Sequence, residues 1–276
     1  MIFNLRLLQV KRYIFMTKIR LKFSKRGPVR FIGHLDLMRY FQKVNRRADI
    51  DVKYSEGFSP HQVLSFAEPL SVGATSDGEY LDIQMNSEPD IKTLIDQLNS
   101  VMNEGIEILD ACILDEKSEK AMTLVDAAEW ILTFREGKEP ADGWEDELKE
   151  YMAKDELPAI KKTKRGETQI NMKPLIFKAE VVAKKDLRGY SDPEYRYIDN
   201  NLDDNISCIH LFVSSGSADH LKPGMVIENF MRESGQQMQP NAIRLHRVDT
   251  FLKGEDEKGT YEVPMTDTEG KYKIYL

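Results

Sequence analysis

Apolar and polar residues alternate along the chain in patterns that predict two similar runs of strands and helices. Residues 18–23 alternate between apolar and basic side chains, which is the period-two pattern of a half-buried strand. Residues 34–48 instead repeat with the period of a helix, because at about 100° per residue their apolar side chains fall on one side. This apolar stripe consists of Leu37, Phe41, Val44 and Ala48.

The rest of the first half continues these patterns as far as residue 114. Strands are predicted at 52–54, 63–66, 79–85 and 106–114, and Pro89 marks the start of a second amphipathic helix. This order is typical of the ferredoxin-like β-α-β-β-α-β motif. The second half repeats it less clearly, with predicted strands at 123–134, 159–164, 177–183, 206–214 and 242–251 and helices at 143–153 and 223–233.

We therefore expect an α+β fold with two ferredoxin-like halves in tandem, formed by residues 16–115 and 121–253. Residues 254–276 form an acidic tail in which Tyr261 and Val263 have the spacing of an edge strand. Residues 1–15 contain an apolar run, but basic residues interrupt it and no cleavage site of small residues follows. Because Met16 directly precedes the first strand pattern, we expect residues 1–15 to be an untranslated or loosely attached extension.

The net charge of −7 argues against nucleic acid as a ligand, but the charge is unevenly distributed. Residues 16–62 contain eleven Lys and Arg against four Asp and Glu, which gives this segment a net charge of +7. Residues 16–62 are therefore basic, whereas the rest of the chain is acidic. An anion docks according to the local field and not according to the total charge, so an anionic ligand stays open.

Cysteine content and the length of apolar runs narrow the class of protein further. No apolar run approaches the ~20 residues of a membrane span, so we expect a soluble, cytoplasmic protein without a membrane partner. Cys112 and Cys208 lie far apart, which indicates a reducing compartment and no disulfide framework. Two thiols are also too few for an iron–sulfur cluster, which takes roughly three or four. We assign no metal and no cofactor to this chain.

The polar side of the first helix is the candidate binding surface. Arg39, Lys43, Arg46 and Arg47 lie within an arc of about 100°, and Asp36 is the acidic residue among them. A merely solvated face usually mixes both signs, so this pattern favours binding of an anion; simple solvation is the alternative. Arg30, which precedes the helix, is included in the candidate surface.

The turn at residues 54–61 is the second part of this surface. Gly57 can adopt positive φ without steric cost, and Pro60 forces the residue before it into an extended conformation. The chain therefore leaves its strand sharply at this point. Tyr54 and Phe58 are candidates for stacking on a base or a flat cofactor, and the alternative for Phe58 is a place in the core.

Four titratable residues of this half suggest an enzyme as a further hypothesis. His34, Asp36, His61 and Glu79 combine two imidazoles with carboxylates, which suits acid–base work on phosphoryl or glycosidic bonds or a divalent metal. The His-x-Asp spacing is weakly specific, and pairing of Asp36 with an arginine is the structural alternative.

Four segments of this half form a recognisable pattern: RFIGHLD at 30–36, RRA at 46–48, GFSPH at 57–61 and EYLD at 79–82. The pattern resembles the radical-SAM-associated (radical-SAM-linked) bacterial family, whose function is unknown. The resemblance is dense over residues 18–85 and thinner to about residue 250, and it departs at Gly33 and Ser59, where Ser and Asn are expected. It implies a radical-SAM protein as the partner that carries the iron–sulfur cluster.

These observations leave three hypotheses. The first is an accessory factor that binds an anionic substrate, RNA above all, and presents it to a radical-SAM enzyme. The second is an RNA-processing or metal-dependent enzyme that uses the four titratable residues. The third is a protein-interaction adaptor whose acidic half docks on a basic partner. Paired ferredoxin-like halves also occur in several RNA-processing proteins, which is an analogy of fold alone.

Overall fold

A computed structural model describes residues 16–163, 166–217 and 219–276. The predicted extension, residues 1–15, lies outside the described residues. Within them, the strands are β1 (Thr17–Lys25), β2 (Leu64–Phe66), β3 (Thr75–Met85), β4 (Ile106–Leu114), β5 (Val125–Phe134), β6 (Pro158–Thr163), β7 (Gly166–Asn171), β8 (Ile176–Ala183), β9 (Ser207–Ser214), β10 (Ile243–Asp256), β11 (Gly259–Pro264) and β12 (Ile274–Tyr275). The helices are α1 (His34–Arg47), α2 (Ile91–Asn99), α3 (Ala121–Leu124), α4 (Trp144–Ala153) and α5 (Pro223–Glu233). No helix in these ranges combines the length and the apolar character that crossing a membrane requires.

One large mixed sheet joins both halves of the chain, with the strand order β4-β1-β3-β10-β5-β9-β8. In the first half, β1 pairs antiparallel with β3 and β4, and β2 pairs with β3. In the second half, β5 pairs antiparallel with β10 and β9, and β8 pairs with β9. The fold is therefore a mixed α and β structure around one continuous sheet.

Two segments differ from the sequence-based expectation. The predicted strand at 159–164 falls in β6, which pairs only with β7 in a separate two-stranded hairpin. Residues 254–276, which we expect to form an acidic tail, contribute strands to the fold: β11 extends the sheet along β10 and β12 pairs with β11. Tyr261 and Val263 lie in β11, so the predicted strand at these residues is confirmed, but it is not an edge strand because β12 pairs with it.

Helices α1 and α2 pack on one face of the first half and form its hydrophobic core. The predicted apolar stripe of α1 is confirmed, since Leu37, Phe41, Val44 and Ala48 are all buried. The ring of Phe41 lies edge-to-face against Phe23 of β1 and Phe66 of β2, with centroids 4.8 and 5.7 Å away. This packing fixes α1 on the sheet and leaves its polar side in solvent.

The two halves meet where β10 runs parallel to β3, with His246 opposite Thr75 and Arg247 opposite Ser76; we call this the junction. Gly78 permits the close approach that follows. A Cβ atom at this position would lie 2.3 Å from the Cα atom of Asp249, which no side chain could tolerate. The junction therefore requires glycine at position 78.

A long loop, residues 184–206, covers the sheet face opposite the helices. Its Leu187, Tyr197 and Leu202 pack with Ile131 and Val248, which point away from the helices because strand residues alternate between faces. Lys184 is buried and donates hydrogen bonds to the carbonyl oxygens of Asp199 and Leu202, 2.8 and 3.0 Å away. These bonds join the first residue of the loop to its later part and so fix the shape of the loop.

Candidate functional site

The outward side of α1 presents the predicted basic residues to solvent. Arg39, Lys43, Arg46 and Arg47 are exposed, and we call them the basic face. Arg39 forms an ion pair with Asp36, with Nη1 3.2 Å from Oδ1, and both side chains are 69% exposed. An exposed pair of this kind contributes only about 0.3–0.5 kcal/mol, so it leaves Arg39 available to a stronger anion.

The other cations of the basic face have no carboxylate partner among the ion pairs of the described residues. Arg46 Nε donates to the carbonyl oxygen of Gln42, 3.2 Å away, and Arg47 donates to the carbonyl oxygen of Val101 at 3.1 Å. The Arg47 guanidinium also lies over the ring of Tyr40, 6.0 Å from its centroid. Arg47 is therefore positioned between α1 and the segment that follows α2.

Residues 54–62, which we call the glycine turn, form a compact loop beside α1. Its ends are held together by a bridge between Tyr54 and Gln62 and by a hydrogen bond from Ser55 N to the carbonyl oxygen of His61, 2.8 Å away. Gly57 has φ of +106°, as the sequence predicts. Phe58, next to it, is fully exposed, so the alternative that Phe58 belongs to the core is wrong.

Gln62 attaches the glycine turn to α1. Its side chain is buried; Oε1 accepts from Asn45 Nδ2 at 3.0 Å and Nε2 donates to the carbonyl oxygen of Gln42 at 3.1 Å. Nε2 also donates to the hydroxyl of Tyr54 at 3.3 Å. Gln42 and Arg46 are one helical turn apart. The glycine turn and the basic face are therefore neighbours on one surface.

The structure does not bring the four candidate catalytic residues together. His34 begins α1 and packs edge-on against Phe66, 5.2 Å between centroids, while Asp36 pairs with Arg39 in solvent. His61 is exposed, with Nδ1 2.9 Å from Ser55 Oγ. No described hydrogen bond or ion pair joins any two of His34, Asp36, His61 and Glu79. In residues 16–163, 166–217 and 219–276, no group of three or more His, Cys, Asp and Glu side chains has an arrangement that could hold a metal ion.

Glu79 lies instead at the centre of a buried charge network at the junction. Arg247 donates to Glu79 Oε1 from Nε and Nη2, at 3.0 and 2.6 Å, and from Nη1 to Glu68 Oε2 at 2.8 Å. Burial alone would lower the pKa of Arg247, but Glu79 and Glu68 raise it, so the guanidinium stays charged. Glu79 and Arg247 come from different halves, so their pairing holds β3 to β10.

A second buried cluster was not predicted from the sequence. The imidazole of His210 lies between two carboxylates, with Nε2 2.7 Å from Glu129 Oε1 and Nδ1 2.9 Å from Glu180 Oε1. Burial would lower the pKa of His210, but the two carboxylates raise it above its usual value. The ring of Tyr190 stacks on the imidazole at 3.8 Å. Because the imidazole is fully enclosed, this cluster stabilises β5, β8 and β9 as a unit.

Arg30 lies in a 3-10 turn, Gly27–Phe31, before α1 and is not on the basic face. It lines a cleft together with Arg135 and Arg244 of the second half. Sequence patterns could not associate these three arginines, because they come from separate elements that only the junction brings together.

Comparisons with known proteins define the family of this chain. No curated protein matches the sequence. Among solved structures, a chain in the crystal structure of a Cbf5-Nop10-Gar1 complex is similar, with a TM-score of 0.42 and 10% sequence identity. The similarity covers 84% of this chain and 48% of that chain, so this chain spans about half of that length. Residues 18–223, about three quarters of the chain, match the family described as an uncharacterized protein conserved in bacteria, and the chain therefore belongs to that family, DUF2344.

Proposed function

We propose that this chain is an accessory factor that binds RNA and presents it to a radical-SAM enzyme. The observation that carries the RNA-binding part is the fully exposed ring of Phe58 on a turn that is attached to the basic face of α1. The turn that carries Phe58 is thus hydrogen-bonded to the helix that carries Lys43 and Arg46, two cations without carboxylate partners among the described residues. This combination suits a nucleic-acid strand whose bases are accessible.

The chemistry of the surface favours single-stranded RNA over a duplex. Arg39, Lys43 and Arg46 can contact phosphates without reading sequence, and their affinity depends on salt. Exposed bases of single strands stack on aromatic side chains, which contributes about 1–3 kcal/mol per base. Phe58 is positioned for such stacking, with the partly exposed ring of Tyr54 in the same turn.

The strand order supports a finer description of the scaffold, in which each half is a ferredoxin-like unit. The first half has the order β4-β1-β3 with β2 on β3, and the second half has the order β10-β5-β9-β8. Numbered within its own half, each order is 4-1-3-2, and all pairs within a half are antiparallel. Under this description the β6–β7 hairpin is an insertion.

The radical-SAM part of the proposal rests on the resemblance of residues 18–85 to a radical-SAM-associated family. The thiols of this chain do not suit a cluster, because burial raises the pKa of Cys112 to about 11 and that of Cys208 to about 12. A partner would therefore supply the cluster. We expect the tagged chain to co-purify from cells with an iron–sulfur protein; purification of the chain without such a protein would contradict this part.

Fluorescence anisotropy with single-stranded RNA tests the RNA-binding part. We expect Phe58→Ala to weaken binding by about tenfold, the loss of one stacked base. Ile160→Ala is the matched control, since it removes another exposed apolar side chain, on the β6–β7 hairpin. Equal affinities of wild type and Phe58→Ala would contradict the proposed stacking role. Cleavage of the RNA that is lost in His61→Ala would favour the enzyme hypothesis instead.

A charge reversal tests the basic face in the same assay. We expect Arg39→Glu to weaken RNA binding several-fold, because it replaces an attractive charge by a repulsive one. Lys149→Glu is the matched control: Lys149 forms an exposed i,i+3 pair with Asp146 on α4, as Arg39 does with Asp36 on α1. Equal loss of affinity in both variants would show only a general charge effect and would contradict a site on α1.

A further inference from the structure

A cleft of about 300 Å³ lies where the two halves meet, and three arginines line it. Arg30 comes from the 3-10 turn after β1, Arg135 directly follows β5, and Arg244 lies in β10. Both halves therefore contribute to this site, which we call the arginine cleft. Its volume is at the small end of the roughly 300–1,000 Å³ of ligand pockets, which suits a single small ligand.

The protein neutralises the three guanidinium groups only in part. None of them takes part in an ion pair of the described residues, and Arg135 Nε is buried without a hydrogen-bond partner. Within the part of the chain that the structure describes, Arg244 Nη1 donates to the carbonyl oxygen of Phe134, 3.1 Å away, and to no other group. A buried donor without a partner is costly, and adjacent like charges add to that cost. This arrangement therefore favours the binding of an anion.

The lining also fixes the charge that such an anion should carry. Asp199 is the acidic residue of the lining, so three arginines against one aspartate give a net charge of +2. The Oδ1 atom of Asp199 accepts from Asn201 N and Nδ2, both at 3.0 Å. Burial lowers the pKa of Arg135, and the neighbouring positive charges of Arg244 and Arg30 lower this pKa further.

We propose that the arginine cleft binds the terminal phosphate group of a nucleotide. A phosphate monoester is close to a dianion at neutral pH, with a second pKa of about 6, which matches the net charge of the cleft. Planar guanidinium groups bind phosphate oxygens in bidentate fashion. A phosphodiester within a strand carries one negative charge and two substituents, so it matches the cleft less well.

An exposed aromatic ring borders the cleft and suits the base of such a nucleotide. The Arg30 guanidinium lies over the ring of Phe31, 4.8 Å from its centroid, and this ring is 63% exposed. The exposed side chain of Ile198 is next in sequence to Tyr197 and Asp199, which both line the cleft. A phosphate between the arginines would therefore place its nucleoside near apolar surface.

This inference goes beyond the RNA binding proposed for α1, because it uses different residues and a different ligand group. A terminal phosphate in the cleft would contact both halves at once, whereas the basic face and the glycine turn belong to the first half. The two proposals can therefore fail separately. Variants of the arginine cleft should not change how Phe58 binds bases within an RNA strand. Variants of α1 should not change how the arginine cleft binds a terminal phosphate.

The experiment compares 5′-phosphorylated and 5′-hydroxyl RNA of the same sequence, with a nucleoside monophosphate and inorganic phosphate as separate ligands. We expect at least tenfold tighter binding of the phosphorylated strand, and loss of this preference in Arg135→Gln and in Arg244→Gln. Arg188→Gln is the control, because Arg188 does not line the cleft and, among the described residues, donates to backbone carbonyl oxygens of the loop. The nucleoside monophosphate and inorganic phosphate then compete with the phosphorylated RNA. Stronger competition by the monophosphate indicates a nucleotide site, whereas equal competition by both would contradict the nucleotide and indicate a site for phosphate alone.

Thermal unfolding without ligand shows whether the variants are folded. Arg135→Gln should unfold at the same temperature as wild type or a higher one, because it relieves repulsion, yet its melting temperature should no longer rise with the monophosphate. If neither RNA binds but the monophosphate raises the melting temperature of wild type and not that of Arg135→Gln, the result supports phosphate binding in the arginine cleft. The same result would contradict the proposal that α1 binds RNA. Equal binding of both RNAs by wild type, with no shift by the monophosphate or by phosphate, would overturn the inference.

Discussion

At the scale of single residues, burial and neighbouring charge decide which groups keep a proton at neutral pH. Glu262 of β11 is fully buried and faces Asp126. Burial, together with the neighbouring Asp126 carboxyl, raises the pKa of Glu262 from 4.5 to about 8. The folded protein therefore retains a proton on Glu262 that the unfolded chain releases above about pH 4.5.

This shift predicts how stability depends on pH. Because the folded pKa is raised, the free energy of unfolding should fall as the pH rises from about 4.5 to about 8 and show no further loss from Glu262 above that. Glu262→Gln should flatten this fall and stabilise the protein at pH 8.5, by an amount on the order of a few kcal/mol. Urea unfolding of wild type and Glu262→Gln at several pH values measures these free energies of unfolding.

The exposed Glu255→Gln serves as the control in the same strand pair, and it should leave the pH dependence unchanged. A fall in stability that remains in Glu262→Gln between pH 6.5 and pH 9 is expected from His210, whose raised pKa contributes stability that is lost as the pH rises through it. A pH profile of Glu262→Gln identical to that of wild type would show that Glu262 ionises normally in the folded protein.

At the scale of elements, a buried ion pair between Glu79 and Arg247 links β3 to β10 at the junction. Arg247→Met leaves the buried Glu79 carboxylate without this partner, which costs about 3–5 kcal/mol. Glu79→Met should cost less, because Glu68 still pairs with Arg247, and the double variant should lose less than the sum of the two single variants. The free energies of unfolding of the four proteins form the double-mutant cycle that measures the coupling.

A surface pair provides the scale for this coupling. The same cycle on Asp146 and Lys149 of α4 should give below about 1 kcal/mol, because both side chains are exposed. Additive effects of Glu79→Met and Arg247→Met would contradict the stabilising role that we assign to the pair. A strong loss of RNA binding with unchanged stability in Glu79→Gln would return Glu79 to the catalytic hypothesis.

Elements with a local signal could be predicted from the sequence. The apolar stripe of α1 has the period of a helix, and α5 begins at the predicted Pro223, which suits the first turn of a helix. The pairing of β6 with β7 and of β3 with β10 could not be predicted in this way. Strand partners are set by contacts between distant segments, and no periodicity within one segment reports them.

The same distinction applies to the candidate site. The basic face and the exposed turn follow from residues 39–58, so their patterns are visible in one stretch of sequence. The arginine cleft is not visible, because Arg30 and Arg244 are far apart in the chain and meet only through the junction. The sequence suggests Glu79 as a site residue because nothing in its own segment indicates the partner Arg247, 168 residues away.

At the scale of the whole molecule, the uneven distribution of charge determines where we expect RNA to bind. Residues 16–62 carry a net charge of +7 within a chain whose total is −7. The acidic remainder repels a polyanion, so a bound strand should be confined to the basic face and the glycine turn. The local field rather than the total charge then determines where RNA docks.

The dependence of RNA affinity on salt tests the central claim most directly. For single strands, each phosphate contact contributes about 0.7 to the slope of log K against log salt. The variant with Arg39→Gln, Lys43→Gln and Arg46→Gln should therefore lose about 2 from the magnitude of the wild-type slope. Lys149→Gln should retain the wild-type slope. If the triple variant binds RNA with the same slope as wild type, the basic face of α1 does not contact the phosphates and the account is wrong.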